Sequence, residues 1–174
     1  MTASPAPPID RLSLARALRG TGREFESTVQ GASMGSTLPP GSRIRIRCDD
    51  ADRLAEGQVV ALVLDDRLVA HRVVARDRGP AATRYLLTLG DGCVICDAPV
   101  PGARILGTVV AREREGAWVP IPDAPRRRGW RGPAAHLFVA VVRVSLALDA
   151  RLATALVNAA LFGQRLKARV RQLG

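Results

Sequence analysis

One serine near the start of the chain lies in a segment suited to a nucleophile. Ser33 is surrounded by small residues, in the run Gly-Ala-Ser-Met-Gly-Ser-Thr-Leu-Pro-Pro-Gly-Ser over 31–42. Gly31 and Gly35 permit a sharp bend and let another chain approach closely. A serine on such a loop is accessible, and it needs only a neighbouring base to become a nucleophile. Taken alone, the segment is equally compatible with a plain loop before the strand that follows.

The best-placed base is a histidine. His71 lies in the run Val-Ala-His-Arg-Val-Val, where strand alternation puts it on the same face as Val69 and Val73. A serine–lysine pair would need a buried lysine, but the only lysine, Lys167, lies among arginines near the far end of the chain. His136 is the only other histidine. A histidine among apolar neighbours is also a common core residue, so that alternative stays open.

Two aspartates are candidates for a third member of the site. Asp91 follows Gly90, and Asp97 comes six positions later, before a second apolar strand. Either one is alternatively a turn residue, because aspartate favours turns.

These three segments together resemble type I signal peptidases and the related LexA-type self-cleaving repressors. The resemblance rests on Gly-x-Ser-Met with Thr-Leu and an alternating strand, on His-Arg-Val-Val, and on Gly-Asp followed by a second aspartate and a strand. It covers roughly residues 23–121 and favours the branch that uses histidine where the other uses lysine. Ser36 and Ser42 stand where that motif usually has proline and aspartate.

The resemblance implies a serine endopeptidase that removes a signal or leader peptide from a precursor, with no metal or organic cofactor. Ser33 would attack the scissile carbonyl, its own backbone N–H would donate to the oxyanion, and His71 would be the base. Asp97 would orient His71, and Asp91 would fix the loop or assist catalysis.

The substrate side follows from the same resemblance. Gly31 and Met34 would border the bound peptide, and small residues in an Ala-x-Ala-like pattern would precede the cut. Gly31 has no side chain to assist the oxyanion, although some relatives have a hydroxyl at that position. The alternative function is a non-catalytic member of the same fold, acting as a binding or membrane-associated module.

The cysteines do not indicate a metal centre. Cys93 and Cys96 form one Cys-x-x-Cys pair, with no second pair or nearby histidine to complete the four ligands that zinc prefers. Three cysteines are also too few for a disulfide framework. Apolar packing is therefore the favoured role of the pair, with a redox-sensitive pair as the alternative.

Composition and patterning predict a mostly β fold. Hydrophobic residues make up 47% of the chain and aromatic residues only 3%, so the core must be built from Val, Leu, Ile and Ala. Alternation and turn residues predict strands over 23–30, 43–48, 58–64, 67–75, 84–89, 105–110 and 117–121. With the resemblance, this implies a compact, β-barrel-like signal-peptidase or LexA-peptidase fold. A short N-terminal helix, capped by Asp10 and ending near Leu18, would precede the strands.

The charge is unevenly distributed and suggests the domain organisation. The net charge is +10, and residues 126–174 hold nine arginines and one lysine against one aspartate. We therefore predict a disordered N-terminus over 1–8, a peptidase domain over 9–125, a basic linker over 126–133 and one amphipathic basic helix over 134–174.

That helix sets the expected partners besides a peptide or precursor-protein substrate. It would pack on its own domain or a second copy, or bind an anionic membrane surface or a partner's helix. Nucleic acid is disfavoured, because regular aromatic interleaving is missing. The sequence shows neither a cleavable signal peptide nor an apolar run of about 18 residues, so a membrane-associated or cytoplasmic location is expected.

Overall fold

The computed structural model describes residues 13, 17–64, 67–123 and 133–172. Eight strands are followed by two helices. The strands are β1 (Glu24–Thr28), β2 (Arg43–Arg47), β3 (Val59–Leu64), β4 (Arg67–Arg78), β5 (Arg84–Leu89), β6 (Val100–Pro101), β7 (Ile105–Arg114) and β8 (Ala117–Pro120). The helices are α1 (Pro133–Leu148) and α2 (Ala150–Gln172). The protein is therefore mostly β, as the sequence predicts.

All eight strands belong to one antiparallel sheet that curls into a half-barrel. Its order is β1-β2-β7-β3-β4-β5-β6, and β8 pairs with β7 beyond the end of β3. Strand β1 therefore lies at one edge. Strand β4 pairs with β3 over 67–72 and with β5 over 72–78, so the first half of β4 has one free edge.

The central strand explains the apolar run in the sequence. Val59, Ala61 and Val63 of β3 face the core inside the curl, while Val60 and Leu62 face a second core on the other side of the sheet. A strand covered on both faces needs apolar residues at every position. Strand β2 is instead covered on one face: its isoleucines are buried while its arginines are not.

The strand predictions are confirmed, with extensions. Strands β4 and β7 continue to Arg78 and Arg114, beyond their predicted ends. Leu18 is helical and packs against the core inside the curl. The predicted start of the N-terminal helix at Asp10, the disordered segment 1–8 and most of the linker 126–133 lie outside the described residues.

The prediction of one long C-terminal helix is wrong, because the helix is interrupted at Asp149. The carboxylate of Asp149 accepts a hydrogen bond from the Arg151 backbone N–H, and its carbonyl accepts from Ala153. Asp149 thus acts as the N-cap of α2, a position that aspartate favours. None of the helices among the described residues is long and apolar enough to cross a membrane.

Both helices share a core with the sheet. Val142 and Leu146 of α1 and Ala153 and Val157 of α2 are completely buried, in one cluster with residues of β4 and β5 such as Leu87. A second group of apolar side chains lies on another side of these helices and is exposed. It comprises Leu137, Val141, Val144, Leu148 and Leu152.

A glycine in β7 allows two strands to approach closely. A Cβ on Gly107 would lie 1.9 Å from the carbonyl oxygen of Arg47 in β2, a contact that only glycine avoids. We expect Gly107→Ala to lower the free energy of unfolding by about 1–3 kcal/mol, because backbone atoms must move apart. Gly163→Ala in α2, where the Cβ meets nothing within 4 Å, serves as the control and should be neutral or stabilising by about 1 kcal/mol. Chemical denaturation of both variants measures this, and equal stability would contradict the packing of β2 on β7.

Candidate active site

Ser33 lies in the turn between β1 and β2, and its neighbours fix the turn. Met34 and Leu38 are buried in the core inside the curl and anchor the segment. The Gly35 N–H donates to the carbonyl of Ala32 at 2.9 Å, and Gly35 has a φ of +53°, which favours glycine. The small residues that the sequence places around Ser33 thus build a tight turn that holds the hydroxyl at the surface of the core.

A second loop closes over the backbone of the serine. The Gly92 N–H donates to the carbonyl oxygen of Ser33 at 2.8 Å. A Cβ on Gly90 would lie 2.5 Å from that same oxygen, so the approach depends on glycine. This loop carries both candidate aspartates, and its contact with Ser33 fixes their position relative to that serine.

His71 lies between the serine and one aspartate. It is 7% exposed in β4, and its Nε2 is 2.9 Å from the Ser33 hydroxyl oxygen. Its Nδ1 is 2.6 Å from Oδ2 of Asp97. The structure thus brings together Ser33, His71 and Asp97, which are far apart in sequence, in one line of hydrogen bonds.

Thr88, which the sequence analysis missed, also binds Asp97. Its hydroxyl donates to the same Oδ2 at 2.6 Å, and the Asp97 N–H donates to its carbonyl at 2.7 Å. Thr88 is completely buried in β5. The available signal was a hydroxyl in an otherwise apolar strand, since a buried polar group needs a partner. These two bonds fix the carboxylate in the orientation that receives the imidazole.

Asp91 lies in a different set of contacts from Asp97. Its carboxylate binds the Arg72 guanidinium at 2.8 and 2.7 Å and accepts the Thr37 hydroxyl at 2.6 Å. Of the two roles that the resemblance allowed, fixing the loop matches these contacts. Among the described residues, no hydrogen bond or ion pair joins Asp91 to His71.

Arg72 completes this network from the strand position next to His71. It is 1% exposed, and its remaining N–H groups donate to the carbonyls of Gly57 and Pro122, the latter at 2.8 Å. The guanidinium therefore connects β4 to the loop before β3, to the segment after β8 and to the loop of Asp91. These contacts could not be predicted from the sequence, because an arginine in a strand is usually exposed.

A groove runs from the nucleophile along the inside of the half-barrel. Its volume is about 840 Å³, and Gly31, Ser33 and Met34 line it together with the backbone segments 28–31 and 67–70. Apolar side chains of the inner core, such as Ala61 and Leu106, form its floor. Both residues that the resemblance placed beside the substrate thus lie in one groove with the serine.

The cysteines are close to the site but have little reactivity. Cys93 is near the Ser33 carbonyl, and Cys96 is buried in the core beneath the helices. Burial raises the pKa of Cys93 and raises the pKa of Cys96 to about 12. Both thiols therefore stay protonated at neutral pH, and only a thiolate is a good metal ligand or nucleophile. Within the described ranges, no group of three or more His, Cys, Asp or Glu side chains is arranged to hold a metal ion.

No protein-family model matches the chain, and no curated protein is significantly similar to it. The features that bear on function are the geometry of Ser33, His71 and Asp97 and the groove beside them.

The buried pair of Arg72 and Asp91 makes a testable contribution to stability. Asp91→Asn leaves the guanidinium charge buried without its counter-charge, so we expect a loss of about 3 kcal/mol in the free energy of unfolding. The control is Asp77→Asn, which removes the same charge from the exposed Arg143–Asp77 pair, and it should cost less than about 1 kcal/mol. Denaturation midpoints compare the two, and similar losses would contradict the account of Arg72 as a buried connector.

Proposed function

We propose that the chain is a serine endopeptidase with Ser33 as nucleophile, His71 as general base and Asp97 as the group that orients His71. The observation that carries this proposal is the continuous pair of contacts, 2.9 Å from Ser33 Oγ to His71 Nε2 and 2.6 Å from His71 Nδ1 to Asp97 Oδ2. A nucleophile, a base and an orienting carboxylate in this order are the parts of a serine peptidase triad.

Each member of the triad has a defined part in the reaction. Asp97 accepts the Nδ1–H of neutral His71, which leaves the Nε2 lone pair directed at the Ser33 hydroxyl. His71 takes that proton as the serine oxygen attacks the scissile carbonyl, and the imidazolium that forms is stabilised by Asp97. The imidazolium then gives the proton to the leaving amine. Water, activated in the same way, releases the acyl group from Ser33.

The charge that develops on the substrate oxygen needs a donor. Among the described residues, no acceptor is hydrogen-bonded to the backbone N–H of Ser33. This N–H is therefore available for the oxyanion. Gly31 offers no hydroxyl for this purpose. We therefore expect the backbone to provide the main oxyanion contact from this loop.

Two free backbone edges suggest how the substrate binds. Segment 28–31 continues from the terminal strand β1, and segment 67–70 belongs to the half of β4 whose second edge is unpaired. Both line the groove that contains Ser33. An extended peptide laid between them would gain main-chain hydrogen bonds on both sides, the mode of recognition called β-strand addition.

The substrate class follows from the groove and from the resemblance to signal peptidases. The apolar floor favours an apolar extended segment, and the resemblance favours small residues just before the cut. A signal or leader peptide with small residues before the cut fits both features. The three side chains carry out this hydrolysis without a cofactor.

The base assignment is tested with a library of short peptides that carry small residues, read by mass spectrometry. We expect the wild type to cleave some members, and Ser33→Ala and His71→Ala each to lower kcat/KM by about three orders of magnitude or more. Lys167→Ala is the control, since it removes the only lysine, and should leave cleavage unchanged. Substantial cleavage by His71→Ala, or loss of activity in Lys167→Ala, would contradict the assignment.

The two aspartates should separate in their kinetic effects. Asp97→Asn disturbs the tautomer of His71, so we expect kcat to fall by about two to four orders of magnitude with little change in KM. Asp91→Asn should affect kcat much less and act mainly on stability. Thr88→Val removes the donor to Asp97 and should give an intermediate loss of kcat. Steady-state kinetics on a cleaved library peptide rank the three, and a reversed order of Asp91 and Asp97 would show that the orienting carboxylate is misassigned.

A further inference from the structure

Helices α1 and α2 expose an unusually apolar surface. Leu137 is 67% exposed, Leu148 is 72% exposed and Phe162 is 69% exposed. Val141, Val144 and Leu152 are also exposed, so six of the eight large apolar side chains found exposed among the described residues lie on these two helices. A concentration of large exposed apolar side chains on one part of a protein is typical of an interaction site.

The opposite side of the same helices is already occupied. Val142 and Leu146 of α1 are completely buried against the sheet and α2. Helix α1 is thus apolar on both sides, whereas a helix at the surface of a domain has one apolar and one polar face. The exposed apolar side chains on the other side of the helices are left without a partner among the described residues. We call this side the outer helix face (Leu137, Val141, Val144, Leu148, Leu152 and Phe162).

The charge of the sequence that contains these helices indicates the class of partner. Residues 126–174 contain nine arginines and one lysine but a single acidic residue, Asp149. Four of the arginines lie at 126–131, before α1, and the basic residues at 165–171 lie near the end of α2. Apolar residues between two basic segments are the composition of helices that lie in the interface of an anionic membrane.

We propose that the outer helix face docks the protein on an anionic membrane surface, with the helices lying along it. The apolar side chains enter the boundary between headgroups and acyl chains, and the basic segments contact the anionic headgroups. A second copy of the chain is disfavoured as the occupant, because two such faces would bring two strongly positive segments together. In this arrangement the helices do not cross the membrane, since no helix within the described ranges is long and apolar enough to do so.

The apolar part of the proposal is tested by co-sedimentation of the full-length chain with vesicles of phosphatidylcholine containing phosphatidylglycerol. Because the helices share a core with the sheet, substitution is preferable to truncation. Leu137→Ser with Val144→Ser removes two side chains of the outer helix face, and Val94→Ser with Val119→Ser removes two exposed side chains elsewhere as the matched control. We expect the first pair to weaken binding by roughly tenfold or more, and the control pair to bind like the wild type.

The contribution of the basic residues to vesicle binding is tested with a second matched pair of variants. Arg126, Arg127 and Arg128 are replaced with glutamine in one protein, and the exposed Arg23, Arg53 and Arg104 in another, so that the net charge is equal. We expect the first to bind the anionic vesicles more weakly than the second, and high salt to release the wild type.

Three results would overturn the proposal. The first is unchanged vesicle binding after Leu137→Ser with Val144→Ser. The second is a wild-type dimer in light scattering that these substitutions dissociate without affecting vesicle binding, which would make the face an interface between copies. The third is resistance of the vesicle-bound protein to both high salt and alkaline carbonate, which would indicate a spanning segment.

Discussion

The arrangement of the site depends most on the contacts of the buried Arg72 guanidinium. A charge that is almost completely excluded from water is tolerated only if its donors are satisfied, and Arg72 meets this need with Asp91 and the carbonyls of Gly57 and Pro122. Asp91 in turn accepts a hydrogen bond from the hydroxyl of Thr37, four residues after Ser33. One cation therefore connects β4, the serine loop, the aspartate loop and the segment after β8.

His71 and Arg72 are consecutive residues of β4, so the contacts of the histidine and those of the arginine are coupled. Successive residues of a strand point to opposite sides, so His71 faces Ser33 and Asp97 while Arg72 faces Asp91. The loop of 90–97 is held at both of its candidate aspartates, since Asp91 binds Arg72 and Asp97 binds His71 and Thr88. This double attachment fixes the aspartate loop against the strand that carries the base, and the Gly92 N–H extends the same constraint to the carbonyl of Ser33.

Local patterns predicted much of the fold, and long-range contacts account for what they missed. The alternation in β2 and the apolar run in β3 were sufficient to place strands, because burial sets the residue type at each position. The position of His71 followed from its neighbours and from the absence of a suitable lysine. Thr88 and Arg72 escaped prediction because their partners lie in loops whose approach the sequence does not reveal. The break at Asp149 was hidden by the even distribution of alanine and leucine on both sides of it, although an aspartate before a helical run is a known capping signal.

The central claim is that Ser33 is activated by His71, and a phosphonate that reacts with activated serines tests it most directly. The full-length protein is incubated with the probe, and intact-mass and peptide mass spectrometry locate the adduct. The account predicts one adduct, on Ser33, which is formed by the wild type and Lys167→Ala and is absent from His71→Ala. An unmodified wild-type protein that is folded by circular dichroism, or equal modification of His71→Ala, would contradict it.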